Sequence, residues 1–264
     1  MSADVPRIPV ALSIAGSDPS GGAGVQADLK AFADHAVYGM AALTALTAQN
    51  TRGVSGVFAV PADFIRAQIA AVRADLPPDA VKIGMLGTGA IARAVAAALD
   101  DYDGPLVLDP VMVATSGDPL LEPAAEEVVV EVLLPRARVI TPNRPEAARL
   151  GLAADPGAFA ARTGVAVLLK DGHGDGPLVE DRLFLPGGAV HRFAHPRVAT
   201  RNTHGTGCTL ASAVAARLAR GESLEAACAG AVDYLGRLVA GSAGHRLGGG
   251  HGPLLHGIVA RGEP

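Results

Sequence analysis

The residues best suited to chemistry lie in Asn202-Thr203-His204-Gly205-Thr206-Gly207-Cys208-Thr209-Leu210, which runs straight into an alanine-rich amphipathic stretch ending near Arg220. Two glycines in a short loop that opens a helix make an anion site. The first backbone N–H groups of a helix are unpaired, and the helix dipole adds partial positive charge there. Cys208 puts a thiol in the same spot, and a thiol at a helix N-terminus is drawn toward the thiolate. The segment therefore offers one group for developing phosphate charge and one that takes a proton. A phosphotransferase acting on an alcohol needs both.

A second glycine-rich loop, Gly16 to Gly24, follows an apolar run and reads as a phosphate cradle or as a tight turn. No Gly-Lys-Ser/Thr follows it. The G-x-G-x-x-G spacing is absent there and in the Gly205 loop, where Leu210 stands in the third glycine's place. A dinucleotide-dependent oxidoreductase is thereby disfavoured. Asp109 closes a strand before Pro110, as a carboxylate for Mg²⁺ through water or as a turn former. Asn143 and Glu146 have N-x-x-E spacing at a strand-to-helix junction, which suits a metal-water shell or a capping box. Lys170 ends an apolar strand, to meet an anion or to snorkel. The Gln49 amide can give and accept hydrogen bonds to a heterocycle, or serve a turn. His204 suits phosphate binding, acid–base work or a structural place. Cys228 reads as helix packing, and His245, His251 and His256 as tail residues without a role.

These residues need elements to position them. Val10–Ala15 predicts a strand, and Val25–Ala36 a helix. Met40–Ala48 is apolar and leads to a polar turn at 49–53, with a strand over Val54–Val60. Pro61 opens a helix to about Ala74. Strands follow at Val81–Met85, Pro105–Pro110, Arg138–Thr141 and Val165–Lys170, with helices at Thr88–Leu99, Pro123–Leu134 and from Pro142. Arg182–Leu185 and Val190–Phe193 flank Pro-Gly-Gly-Ala and predict a hairpin. Helices close the chain at Gly207–Ala219 and Ser223–Ala240. This alternation predicts an α/β fold, a mostly parallel central sheet with helices on both faces, formed as one domain over residues 1–264. Ligands of such sheets bind beyond the carboxyl ends of the strands, where Gly16, Gln49, Met85, Asp109, Asn143 and Lys170 fall.

The chain has 264 residues, 49% hydrophobic and 18% charged, ample for a large core. A net charge of −4 gives no sign of nucleic-acid or anionic-membrane binding. No run reaches the roughly 18 apolar residues of a membrane span, and Met1–Pro9 lacks a signal-peptide core. A soluble cytoplasmic protein is expected. Two cysteines give neither a disulfide framework nor a metal spacing. The lysines are Lys30, Lys82 and Lys170, and in a chain so poor in lysine each of them stands out.

Together these pieces resemble the hydroxymethylpyrimidine/phosphomethylpyrimidine kinases of thiamine biosynthesis. The resemblance rests on Ala15 to Lys30, Thr47-Ala48-Gln49-Asn50-Thr51, Lys82-Ile83-Gly84-Met85-Leu86, and Asp109-Pro110-Val111-Met112 with Ser116-Gly117. Thr141-Pro142-Asn143 with Glu146-Ala147, and Asn202 to Leu210, complete it in order. It implies a ribokinase-like three-layer fold, use of ATP and Mg²⁺, and two successive phosphorylations of 4-amino-5-hydroxymethyl-2-methylpyrimidine. It also implies that Gln49 contacts the pyrimidine, with Gly16, Asp28, Met85 and Val111 around it. Gly205, Thr206, Gly207 and Cys208 would form the anion hole and carry catalysis. Asp109 and Glu146 would order magnesium, and Lys170, Asn143 and His204 would serve the nucleotide. A homodimer is expected. One departure is Lys170-Asp171-Gly172-His173, where the family usually has Lys-Gly-Gly-His. Competing readings are a pyridoxal kinase of the same superfamily and a catalytically silent pyrimidine-binding protein. Loops near Thr115–Pro119 and Gly172–Pro177 are candidates for a mobile cover.

Overall fold

The computed structural model describes residues 7–114, 117–172 and 176–258. The chain starts with β1 (Val10–Ser17), α1 (Gly24–Asp34), β2 (Tyr38–Asn50), β3 (Gly53–Ala59), α2 (Ala62–Asp75) and β4 (Ala80–Ile83). It continues with α3 (Gly89–Ala98), β5 (Leu106–Leu108), α4 (Pro123–Val132), β6 (Val139–Ile140), α5 (Arg144–Arg149), α6 (Pro156–Thr163) and β7 (Ala166–Leu169). A hairpin of β8 (Leu178–Phe184) and β9 (Val190–Pro196) precedes α7 (Thr206–Ala219) and α8 (Leu224–Ser242).

The described strands form one sheet in the order β3-β2-β1-β4-β5-β6-β7-β8-β9. The pairs from β2 through β7 are parallel, and β3, β8 and β9 add antiparallel edges. The strand order reverses at β1, which opens a crevice at the carboxyl ends of β1 and β4.

Alternation along each strand makes three layers. Leu12, Ile14, Val81, Ile83, Leu106 and Leu108 face a core shared with α2 to α6. Ala11, Ala80, Val107, Val139 and Leu168 face the other core, under α1, α7 and α8. Small residues dominate there: Ala211, Ala213, Ala215 and Ala216 are fully buried, so α7 lies close to the sheet. Cys228 packs in that core, as its sequence context predicts.

Three expectations change. Gln49 is not in a turn, because β2 runs to Asn50 and the reversal falls at Thr51-Arg52. Helix α6 escaped the sequence reading because it is short, yet Asp155 caps its start and Gly164 ends it at φ 74°. His256 is not a loose tail residue, since its buried Nε2 lies 2.9 Å from Thr209 Oγ1 in α7. Of the cover loops, Thr115, Ser116 and residues 173–175 lie outside the described residues. No described helix is long and apolar enough to cross a membrane.

The segment after α8 folds back onto the β2–β3 hairpin and the Gly205 loop. The N–H groups of Gly250 and His251 donate to Thr51 Oγ1 (3.2 Å) and Thr51 O (2.9 Å), at the tip of the β2–β3 hairpin. His204 N–H in turn donates to Gly252 O at 3.1 Å.

Candidate active site

A cavity of about 650 Å³ opens at the carboxyl ends of the parallel strands. One wall brings together Gly16, Gln49, Met85 and Val111. Gly16 lets this wall close, since a Cβ there would lie 2.8 Å from Met85 Sδ. The opposite side carries Asp109, Asn143, Glu146 and Lys170, and the start of α7 brings His204, Gly205, Thr206, Gly207 and Cys208. Twelve residues spread over the sequence thus share one space with Cys208. The cavity also takes in Asp181, His195, Arg197, Val198, Gly236 and Val239. They fall in or beside residues 182–201 and 237–250, which carry no transferable motif in the sequence.

The start of α7 is built by glycine. Gly205 sits at φ 82°, a left-handed conformation that only glycine adopts freely, and a Cβ there would overlap the Gly22 carbonyl. The two glycine-rich loops therefore touch backbone to backbone. A buried pair locks them: His204 Nε2 lies 2.7 Å from Asp18 Oδ2. The same carboxylate accepts from Ser20 N (2.9 Å), Gly22 N (3.2 Å) and Ala23 N (2.8 Å). Burial opposes its charge, yet His204 and Ser20 outweigh burial and hold Asp18 down to about 2. His204 lines the cavity, but its Nε2 is engaged with Asp18. This places the imidazole as a brace rather than as the phosphate ligand expected.

Opposite, Lys170 Nζ donates to Asp109 Oδ1 at 3.0 Å and lies 3.9 Å from Glu146 Oε2. Thr141 Oγ1 donates to the same Asp109 oxygen at 2.9 Å. Lys170 is thus pinned by carboxylates and does not snorkel. Burial opposes ionisation of Asp109, but the Lys170 and Lys82 ammonium groups hold its carboxyl below the usual range. Burial, helped by Asp109, pushes Glu146 up. Asn143 and Glu146 make a reciprocal capping box, with Glu146 N donating to Asn143 Oδ1 at 2.9 Å and Asn143 N to Glu146 Oε2 at 2.8 Å. The cap also fixes the carboxylate beside Lys170, so the box and the acidic wall are one construction. A Cβ at Gly207 would come within 3.3 Å of Lys170 Nζ and 3.6 Å of Asp109 Oδ2, so the first turn of α7 meets this cluster. Asp171 turns away, paired with both Arg144 Nε and Arg144 Nη2 (2.9 Å to the latter). The departure at Asp171 thus leaves the Lys170 cluster without an added negative charge.

Two expectations fail here. Asp28 does not reach the cavity. It is fully buried one turn into α1, bound to Lys82 Nζ at 2.8 and 2.9 Å, because β4 supplies a buried ammonium facing α1. Cys208 does not tend to the thiolate either. Burial, with Asp28 and Asp109, pushes its thiol up to about 11 against the pull of Lys82. Sequence reasoning named the helix start but could not see the two carboxylates and the close protein surroundings that oppose charge on the half-buried sulfur.

Sequence comparison decides the family. Residues 18–255 match the phosphomethylpyrimidine kinase family. The chain belongs to this family. It is 47% identical over 257 residues to the hydroxymethylpyrimidine/phosphomethylpyrimidine kinase of Rhizobium meliloti, covering 94% of this chain and 96% of that protein. It is 46% identical over 264 residues to a thiamine biosynthesis multifunctional protein of Corynebacterium efficiens, covering 96% of this chain but only 36% of that longer protein. Among solved structures, Bacillus subtilis pyridoxal kinase in complex with ADP superposes with a TM-score of 0.86 at 34% identity, covering 97% of this chain and 99% of that one. The ribokinase-like fold expected from the resemblance is therefore present, and the chain is an enzyme of this kinase type.

Proposed function

We propose that this cavity binds a hydroxymethylpyrimidine and ATP with Mg²⁺, and phosphorylates first the alcohol and then the resulting monophosphate. The observation that carries the reading is the convergence of the Gln49–Met85 wall, the Gly205–Cys208 turn and the Asp109–Lys170–Glu146 cluster on one cavity. Gln49 reads the ring through its amide, with Gly16, Met85 and Val111 packing around it. The amides of Gly205 to Cys208 hold the charge of the moving phosphoryl group. Lys170, placed by Asp109 and Glu146, meets the triphosphate, and Asn143 orients Glu146. The base and ribose lie against the part of the cavity lined by Asp181, His195 and Gly236.

Asp109 and Glu146 fit Mg²⁺. They are hard oxygen donors set close enough that Asp109 helps push Glu146 up, and Mg²⁺ is held in just this way by one or two carboxylates plus phosphates. When bound, it would neutralise phosphate charge.

In the first step the hydroxymethyl oxygen attacks the γ-phosphorus, the bond to ADP breaks, and the alcohol proton passes to ionised Cys208. In the second step the acceptor is a phosphate oxygen that carries no proton to remove near neutral pH. Positioning dominates in both, as a loose transition state requires. Incubation with ATP-Mg²⁺ and the pyrimidine alcohol, followed by mass analysis, tests the reading: a doubly phosphorylated product is expected. A product that stops at one phosphate refutes the second step, and absent ATP turnover leaves only a pyrimidine-binding protein. The fold likeness favours pyridoxal as the second substrate to assay. The higher identity to the R. meliloti kinase favours the pyrimidine.

The enzyme is proposed to work as a homodimer. Edge strand β3 exposes Val57 and Phe58, with Leu46 exposed on neighbouring β2 and Phe64 on α2, an apolar edge that a second copy would cover. Phe58→Asp is expected to give a monomer in sedimentation velocity, and a monomeric unmodified protein refutes this.

A further inference from the structure

The most deeply buried charges lie outside the cavity. Lys82 holds both oxygens of Asp28, while Ser13 Oγ donates to Asp28 Oδ2 at 2.6 Å and Ser212 Oγ to Oδ1 at 2.7 Å. All four residues are fully buried, and they come from β4, α1, β1 and α7. Strand alternation puts them together. Ala11 and Ala80 face the α1–α7 core, so Ser13 and Lys82, two residues on and cross-strand partners, face it too. Gly84 leaves space for the ammonium, since a Cβ there would lie 2.6 Å from Lys82 Nζ.

A buried ion pair is a poor way to stabilise a core, because apolar residues of equal volume do as well or better. Its position points elsewhere. Asp28 is one turn beyond Gly24 in α1, and Ser212 is one turn beyond Cys208 in α7. The Gly24 backbone N–H donates to the Cys208 sulfur at the cavity floor. The pair therefore sits one helical turn beneath the point where two helix N-termini meet. Among the described residues, the charges acting on the Cys208 sulfur are Lys82 and Asp28 from below, Asp109 after β5 and Lys170 after β7. Lys82 favours the anion more strongly than Asp28 opposes it.

We propose that Asp28, tethered by Ser13 and Ser212, is a positioning residue that fixes the Lys82 ammonium where it favours negative charge on Cys208. The consequence for the first phosphorylation rests on the reading of Cys208 as its proton acceptor; the effect on the sulfur does not.

The test is the double variant Asp28→Asn/Lys82→Met, which keeps volume and leaves no lone buried charge. The readouts are the rate of Cys208 alkylation by iodoacetamide at about pH 8, mapped by mass, and kcat and KM for each step. Alkylation is expected to slow about five-fold, equivalent to roughly 0.7 of a pKa unit. First-step kcat should fall by a similar factor, with its KM and the second step within about two-fold. Lys82→Arg, which keeps the charge, should restore alkylation. A folded double variant with unchanged alkylation overturns the proposal, as does equal slowing in Lys82→Arg. Should the double variant not fold, Ser212→Ala replaces it, and unchanged alkylation there overturns the proposal. Slowed alkylation with an intact first step upholds the effect on the sulfur and removes Cys208 as the base.

Discussion

Cys208→Ala separates the two phosphorylations. In the folded protein the thiol is pushed up to about 11, so roughly one molecule in ten thousand carries the thiolate at about pH 7, and about one in a hundred at pH 9. If the first step uses that thiolate, its kcat rises about tenfold per pH unit over this range. The second step stays flat, because phosphate is already ionised above about pH 6. Neither Lys170 nor Lys82 mimics the slope, since carboxylates raise both ammonium groups above the ordinary lysine value. Removal of a general base costs about 10²- to 10⁴-fold. Cys208→Ala should lose about 10²-fold in the first step together with its pH slope, and no more than about three-fold in the second. The assay supplies alcohol or monophosphate separately, each with ATP-Mg²⁺, and follows product by mass from about pH 7 to 9. A flat first step in the unmodified enzyme refutes the reasoning. Equal loss in both steps means that the sulfur serves geometry alone.

Gly205→Ala forces a side chain into a left-handed position against the Gly22 carbonyl, so both steps should fall about 100-fold and thermal stability should drop by about 1–3 kcal/mol; a near-normal melt refutes the interlock. Asp171→Gly removes a carboxylate that already faces Arg144, so the nucleotide KM should stay within about two-fold, and a larger change would show that Asp171 acts on the phosphates. His256 is pushed down to about 4 by burial, while an unfolded histidine titrates near 6.5. The unfolded chain then binds more protons between these values, so stability rises with pH through that window. Urea midpoints should lose the equivalent of about 2 kcal/mol from this residue between about pH 7 and 5. His256→Gln should flatten that part of the fall, and an unaltered dependence refutes the assignment.

Much of this molecule is legible in its residues. The alternation of apolar strands with long helices is local, and it predicts the parallel sheet and which loops gather at its carboxyl edge. Asp109 and Lys170 stand out as polar groups ending apolar runs, and Glu146 by its N-x-x-E spacing from Asn143 at a strand-to-helix junction. What stayed hidden depends on depth. Asp28 and Asp109 look alike in sequence, yet one closes a strand at the cavity and the other is sealed beneath α7. Lys82 carried a faint signal, as one of three lysines, inside a run that otherwise reads as a buried strand. Asp18 and His204 are separated by 186 positions, and no local pattern pairs them. The thiol of Cys208 shows the limit most plainly, since a helix N-terminus and a buried floor pull it in opposite directions and only packing decides.

The segment beyond α8 fastens the Gly205 loop and the β2–β3 hairpin with contacts that come after the last described helix. A nascent chain that has emerged through Ser242 holds every described strand and helix, yet it lacks the residues that tie down Thr51 and the carbonyl of Gly252 that receives His204. At synthesis rates of about 5–20 residues per second, that interval is a second or two in which the strands and helices are present but Thr51 and His204 lack these partners. Phosphoryl transfer by a ribosome-bound chain is therefore expected only once residues 250–253 are free to dock, and a chain stopped before them also lacks the buried Leu254, Leu255 and His256.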